Sequence, residues 1–336
     1  MITIAVDAMG GDHAPRPEVE GAVLAARELG LRILLAGQPQ TVKHELARHA
    51  HKDLDIEIVP ASEVITMRDA PMQAFRKKKD SSVHVATRLV RDAKADGLVS
   101  AGNSGAVMAV ARFGLGTLES VDRAALAAPF PTIRGGVSVL LDVGANVDSK
   151  VEHLEQFAIM GEIYYRAIFG TRRPRVALLS IGEEEMKGNE LTREAYNRLK
   201  QLPIHFVGNI EGRDVFAGNV DVIVCDGFIG NVALKISEGV AQLIVTMLKS
   251  ALQSTLSAQV GSLLSRRAYQ DFKKKIDYSE YGGAPLLGVR GVTVISHGSS
   301  NANAMKNAIR VAAGLARAKI NEKIQQELTT VAAARA

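Results

Sequence analysis

Residues 2–15 read ITIAVDAMGGDHAP. An apolar run, Ile2 to Val6, passes without a break into Asp7, a glycine pair, Asp12, His13 and a proline. A turn needs one glycine. Gly10 and Gly11 remove Cβ atoms where the chain leaves a strand, which serves either positive φ or close approach to a ligand. The pattern recurs five times: GLVS (97–100) runs into AGNSGA, VSVLL (137–141) into DVGANVD, VALLS (176–180) into IGEEEMKGNE, VDVIV (220–224) into CDGFIGN and VTVIS (292–296) into HGSSN. Three more runs, LRILLAG (31–37), DIEIV (55–59) and IHFVGN (204–209), share the Ile, Val and Leu enrichment. Most are continuous rather than alternating, as expected of strands buried on both faces. Helix-length stretches such as 17–30 and 81–95, apolar at three- and four-residue spacing, separate many of them. The alternation predicts an α/β fold with a doubly wound, mainly parallel sheet in an α/β/α sandwich.

In an open parallel sheet the carboxyl ends of the strands share one edge, and ligands bind in the crevice there. Six polar, glycine-bearing ends on one edge predict one anionic-ligand or catalytic cleft. No repeat, linker or composition break divides the 336 residues, so a single domain over 1–328 is expected, with a helical appendage near 238–276 and a frayed Ala-rich tail at 329–336.

A hydrophobic fraction of 47% suits a soluble protein with a substantial core. The apolar stretches fall short of the ~18 residues of a membrane span, and no basic leader precedes the first strand, so a cytoplasmic location is expected. The single cysteine, Cys225, excludes an internal disulfide and a cysteine metal cluster, and its apolar run places it in a buried strand. The formal charge is +5, with basic runs near 78 and 270. With aromatics at 4% and none interleaving those runs, a nucleic-acid partner is not expected.

SAGNSGA supplies small side chains and backbone N–H groups at a helix start, an anion site in which Gly102, Asn103, Ser104 and Gly105 are candidates. Ser104 either caps the helix or touches a phosphate oxygen. No GxxxxGK[ST] occurs, nor a GxGxxG with an acidic partner, so no nucleotide is indicated. Lys187 lies in an acidic, glycine-bounded loop, where it either pairs with Glu183 to Glu185 or neutralises a phosphate or oxyanion. Asn231 reads as a helix N-cap or as an amide donor to a carbonyl oxygen. Asp7, Asp12 and His13 lack a specific metal-ligand spacing, and no GxSxG elbow joins His13, His297 and Asp226 into a triad. No metal and no cofactor are expected, and chemistry without a protein nucleophile fits best.

The ordered stretches DAMGGDHAP, SAGNSGA, LLDVGANVD, GEEEMKGNE, VCDGFIGN, EYGGAPLLG and SHGSS, from residue 7 to about 300, resemble the bacterial phosphate acyltransferase family PlsX. Ile229 departs from the threonine common in that family's GFTGN loop, while Gly230 and Asn231 are retained. The resemblance implies a fold akin to phosphotransacetylase and the isocitrate dehydrogenase group, a homodimer, and transfer of a long-chain acyl group from acyl carrier protein to inorganic phosphate. The acyl phosphate would feed phospholipid synthesis through a membrane glycerol-3-phosphate acyltransferase. For that chemistry Lys187 and Asn231 are the main catalytic candidates, with His13 assisting and Asp226 orienting Lys187 or His13. Gly10, Gly11, Asp12, the 102–105 loop, Gly230 and His297 are candidates for phosphate. Two other readings are a phosphotransacetylase using acyl-coenzyme A and a nonenzymatic anion-binding, membrane-recruiting scaffold.

Residues 238–277 read as two amphipathic helices broken near Gly261. Leu243, Met247, Leu248, Leu252 and Leu256 form a stripe expected in a core or dimer interface, and Leu263 and Leu264 open a second. Arg266, Arg267, Lys273, Lys274 and Lys275 suit an acidic carrier protein or peripheral contact with anionic lipid at the inner face of the plasma membrane.

Overall fold

A computed structural model describes residues 1–269, 272 and 281–333. Its framework is one sheet of eleven strands: β1 (Thr3–Asp7), β2 (Arg32–Gly37), β3 (Ile56–Pro60), β4 (Gly97–Ser100), β5 (Ala125–Pro131), β6 (Val137–Leu141), β7 (Arg175–Leu179), β8 (His205–Ile210), β9 (Val222–Val224), β10 (Ala284–Leu287) and β11 (Val292–Ile295), ordered β3-β2-β1-β4-β11-β10-β5-β6-β9-β7-β8. All nine expected runs are strands. β5 and β10 are additional.

The helices are α1 (Arg16–Leu29), α2 (Pro39–Leu46), α3 (Pro71–Lys77), α4 (Ser82–Arg91), α5 (Ser104–Leu115), α6 (Val151–Phe169), α7 (Glu190–Leu199), α8 (Gly227–Gln253), α9 (Leu256–Leu264), α10 (Ala302–Arg317) and α11 (Ile320–Ala333). Alternate strand residues face opposite layers. Ile4, Val6, Val139, Leu141, Val176 and Val222 pack with α1, α2, α6, α7, α10 and α11. On the opposite face Leu126, Leu140, Ala177 and Ile223 pack with α3, α5 and the start of α8, while Ala5, Leu34 and Leu98 pack with α4. The result is the expected three-layer α/β/α sandwich.

The sheet is mainly parallel, as expected, but its polar strand ends do not share one edge. β1, β4 and β11 are mutually parallel, and β6, β9 and β7 are mutually parallel. Between them β10 is antiparallel to β11 and to β5, and β5 is antiparallel to β6. Three successive reversals leave the two sets antiparallel, so the six polar ends form two groups of three rather than one row.

The appendage also differs. α8 runs unbroken from Gly227 to Gln253, and the break falls at Ser254 and Thr255, where the Thr255 hydroxyl caps α9 by accepting from Ala258 N at 3.1 Å. Gly261 and both leucines of the second stripe lie inside α9. The first stripe is not core: Leu243 and Met247 of α8 and Leu256 at the start of α9 are exposed. By length and composition alone, α8 would pass as a membrane span. α11 continues past Leu328 to Ala333 because Val331 still packs on the core; residues 334–336 lie outside the described residues.

Candidate active site

The first group of strand ends surrounds the glycine pair. Asp7 is buried at the end of β1; its Oδ2 accepts from Ser100 Oγ at 2.6 Å, and Ser100 Oγ in turn accepts from Gly102 N at 3.1 Å. Burial raises the Asp7 carboxyl above the ordinary aspartate range, against hydrogen bonds from Ser100, Ser82 and Met9. Gly10 and Gly11 do not have positive φ. Their requirement is space: a Cβ on Gly10 would lie 2.5 Å from Asp7 Oδ2 and 2.8 Å from Gly102 N, and one on Gly11 would overlap Glu18 Oε1. Asp12 N donates to Gly298 O at 2.8 Å, joining the loop to the end of β11. Asp12, His13 and His297 are exposed, and His297 Nδ1 lies 2.8 Å from Ser299 Oγ.

Asn103, not Ser104, caps α5: its Oδ1 accepts from Ala106 N at 3.1 Å, while its amide donates to the carbonyls of Met67 and Asp69. The Ser104 hydroxyl is therefore relieved of capping and sits exposed at the helix start. Gly105 admits Pro71, whose Cγ would lie 2.8 Å from a Cβ.

The second group is built on Asp142, which follows a cis Leu141–Asp142 peptide and is completely buried. Its Oδ1 accepts from the N–H groups of Leu126, Gly144 and Ala145, and its Oδ2 from Asn146 N and Nδ2, at 2.7–3.2 Å. Burial pushes its carboxyl upward, opposed by these bonds. Asp226 caps α8, accepting from Phe228 N at 3.0 Å and Ile229 N at 3.1 Å. The cap engages Oδ1 alone, so the part of Asp226 that the structure shows is the start of α8. Asn231 is no cap; its amide donates to Val143 O at 3.1 Å and packs on Gly144. Gly230 is buried against the Asp142 carbonyl.

Lys187 stands beyond the end of β7, exposed, its stem against Gly182. The neighbouring acids do not hold it: Glu183 pairs with Arg213 and Glu185 with Lys200, and Lys187 has no ion-pair partner among the described residues. Arg266 and Arg267 are exposed beyond α9, and Lys273, Lys274 and Lys275 lie outside the described residues.

Glu18 was not among the sequence candidates. It is buried below the glycine pair, and desolvation pushes its carboxyl from 4.5 to about 7; backbone hydrogen bonds oppose this and the Asp7 charge reinforces it. The sequence signal was an acid in register with Ala22 and Ala25 on the apolar stripe of α1. A carboxyl that is harder to ionise folded than unfolded stabilises the fold fully below pH 4.5, and that contribution is lost as pH rises through 7. Between pH 5 and 8 the wild type should therefore lose about 2–3 kcal/mol more stability than Glu18→Gln, measured by urea unfolding. Parallel curves for the two proteins would refute a raised Glu18.

A family model described as "Fatty acid synthesis protein" matches residues 2–323. Curated relatives named "Phosphate acyltransferase" include those of Koribacter versatilis, 59% identical over 97% of this chain and 93% of the relative, and Acidobacterium capsulatum, 54% identical over 98% of each. The chain belongs to the phosphate acyltransferase family. It is an enzyme, and the resemblance carried by its strand-end loops is borne out. Among solved structures, a phosphotransacetylase from Streptococcus pyogenes superposes with a TM-score of 0.62 at 17% identity, covering 94% of each chain. A branched-chain phosphotransacylase from Enterococcus faecalis gives 0.56 at 14% identity, covering 94% of this chain and 99% of that one. At those identities the likeness is one of fold, and it matches the fold relation expected from sequence.

Proposed function

We propose that this phosphate acyltransferase moves a long-chain acyl group from the thioester of acyl carrier protein to inorganic phosphate, and that both groups of strand ends face one cleft. Six strand steps separate β1 from β9. At about 20–25° per step the sheet turns through about 120–150°, so strands antiparallel by register lie within roughly 30–60° of one another. The first turn of α5, through Ala106 and Val107, belongs to the same apolar cluster as Val143 and Cys225, with Ala233 and Leu234 of α8 packed against it. Those contacts support a shared cleft.

The observation that carries the chemistry is the exposed Lys187, without an ion-pair partner among the described residues, on a strand-end loop in a chain whose relatives are named for transfer to phosphate. Phosphate is already anionic and nucleophilic near neutrality, so it needs positioning more than deprotonation. Gly10, Gly11 and the amides around Ser104 supply the cradle. A phosphate oxygen attacks the thioester carbon, forming the C–O bond and placing the carbonyl electron pair on oxygen. Lys187, with backbone N–H groups, stabilises that oxyanion or the entering phosphate. Collapse breaks the C–S bond, leaving acyl phosphate and a thiolate that takes a proton from solvent. Asn231 acts through the 143–146 loop that it ties to α8.

The enzyme is read as cytoplasmic, with acyl phosphate passing to a membrane glycerol-3-phosphate acyltransferase. The exposed face of Leu243, Ile244 and Met247 supports a homodimer, and Arg266 and Arg267 support a carrier or anionic-lipid contact. The deciding assay supplies phosphate with carrier-protein and coenzyme A thioesters in parallel and detects acyl phosphate. Turnover of the carrier thioester is expected; turnover of the coenzyme A thioester alone would move the assignment to a phosphotransacetylase.

A further inference from the structure

Glu18 is 1% exposed, and its Oε2 has no hydrogen-bond partner. Its other oxygen occupies the space that a Cβ on Gly11 would fill. The ionisable groups acting on it are Asp7 from β1 and Asp12 from the loop, both acids. Ser82, at the start of α4, directs its hydroxyl to Asp7. On the α10 side, Gly21 packs against Met305, and Lys306 pairs with Glu28, nearly three turns farther along α1 than Glu18. Glu18 has no ion-pair partner among the described residues, so the protonated acid is the form that this site favours.

We propose that Glu18 is a positioning residue that holds the Gly10–Gly11–Asp12 loop in its phosphate-binding form as an uncharged acid, and that deprotonating it weakens the enzyme's hold on phosphate. The proposal rests on the reading that this loop contacts phosphate. An ionised Glu18 places a negative charge beneath the glycine pair, beside two other acids, and repels the incoming anion.

The experiment compares the phosphate KM of the wild type and Glu18→Gln at pH 6 and pH 8. Phosphate's own ionisation is common to both proteins and cancels in their ratio. The ratio of wild-type to variant KM should rise on the order of tenfold across that interval. A flat ratio overturns the proposal. If Gly10→Ala, which places a Cβ 2.5 Å from Asp7 Oδ2, still raises the phosphate KM, the loop keeps its phosphate role and only the Glu18 role fails. If Gly10→Ala leaves that KM unchanged, the phosphate reading of the loop fails with it. Should Glu18→Gln not fold, carboxyl infrared difference spectra of the wild type and Glu18→Asp decide. A protonated-carboxyl band that is lost between pH 6 and 8 and whose frequency shifts in Glu18→Asp upholds the uncharged acid; Asp7 and Asp142, also raised by burial, are unchanged in that variant, and absence of a Glu18-sensitive band at pH 6 overturns the proposal.

Discussion

Lys187→Ala is expected to lower kcat/KM about 10²–10³-fold, the usual range for deleting one donor from a developing oxyanion. The stability change should stay within about 0.5 kcal/mol, because an exposed side chain without an ion pair holds nothing else in place. Steady-state kinetics with phosphate varied separates the two sites at which the ammonium can act. A raised phosphate KM with near-normal kcat places it on the phosphate, whereas a reduced kcat at saturating phosphate places it on the thioester oxygen. Wild-type kinetics in a folded variant would remove Lys187 from the mechanism.

Gly230→Ala should cost about 3 kcal/mol and most of the activity. Gly230 is helical, so its requirement is not conformational. A Cβ there would overlap the Asp142 carbonyl oxygen and lie 2.9 Å from Cys225 Sγ. Asp142 cannot yield easily, because its carboxylate holds the N–H groups of residues 126 and 144–146. α8 would have to lift instead, carrying Asn231 away from Val143 O. Gly239→Ala is the matched control: it lies in the same helix with nothing within 4 Å. There the helix propensity of alanine should leave stability equal or raise it by up to about 1 kcal/mol. Equal urea midpoints for the two variants would refute the packing argument.

The layers of the fold were legible because a strand buried on both faces reads as a continuous Ile/Val/Leu run, and all nine such runs became strands. The two strands that were not legible are ALAAPFP and APLL. Both are rich in alanine or leucine rather than β-branched residues, and both contain proline, which cannot donate to a ladder. They are also the strands that reverse the sheet, so missing them placed six polar ends on one edge. The glycine-rich loops themselves were readable, since each replaces an apolar run abruptly. Sequence left open which side chain caps each helix, because Asn103 and Ser104 are both good caps and only the backbone geometry chooses between them. Asp142 was visible as a letter in LLDVGANVD, but its role depends on N–H groups of its own loop and on Leu126, sixteen residues earlier.

The pairing of β11 with β4 bears on how the chain is made. Gly97 meets Val292, so the open flank of the first parallel block is sealed by a segment near the far end of the polypeptide. During synthesis, β1 to β4 can associate early, yet β4 presents an unpaired backbone edge until residues 292–295 leave the ribosome. Contacts between such distant segments form late and fold slowly, and an exposed strand edge invites association with other chains. That edge is where an incomplete copy is open to such association. A nascent chain stalled before residue 292 lacks the cover for that edge, and it also lacks Gly298, whose carbonyl fastens the glycine-pair loop through Asp12.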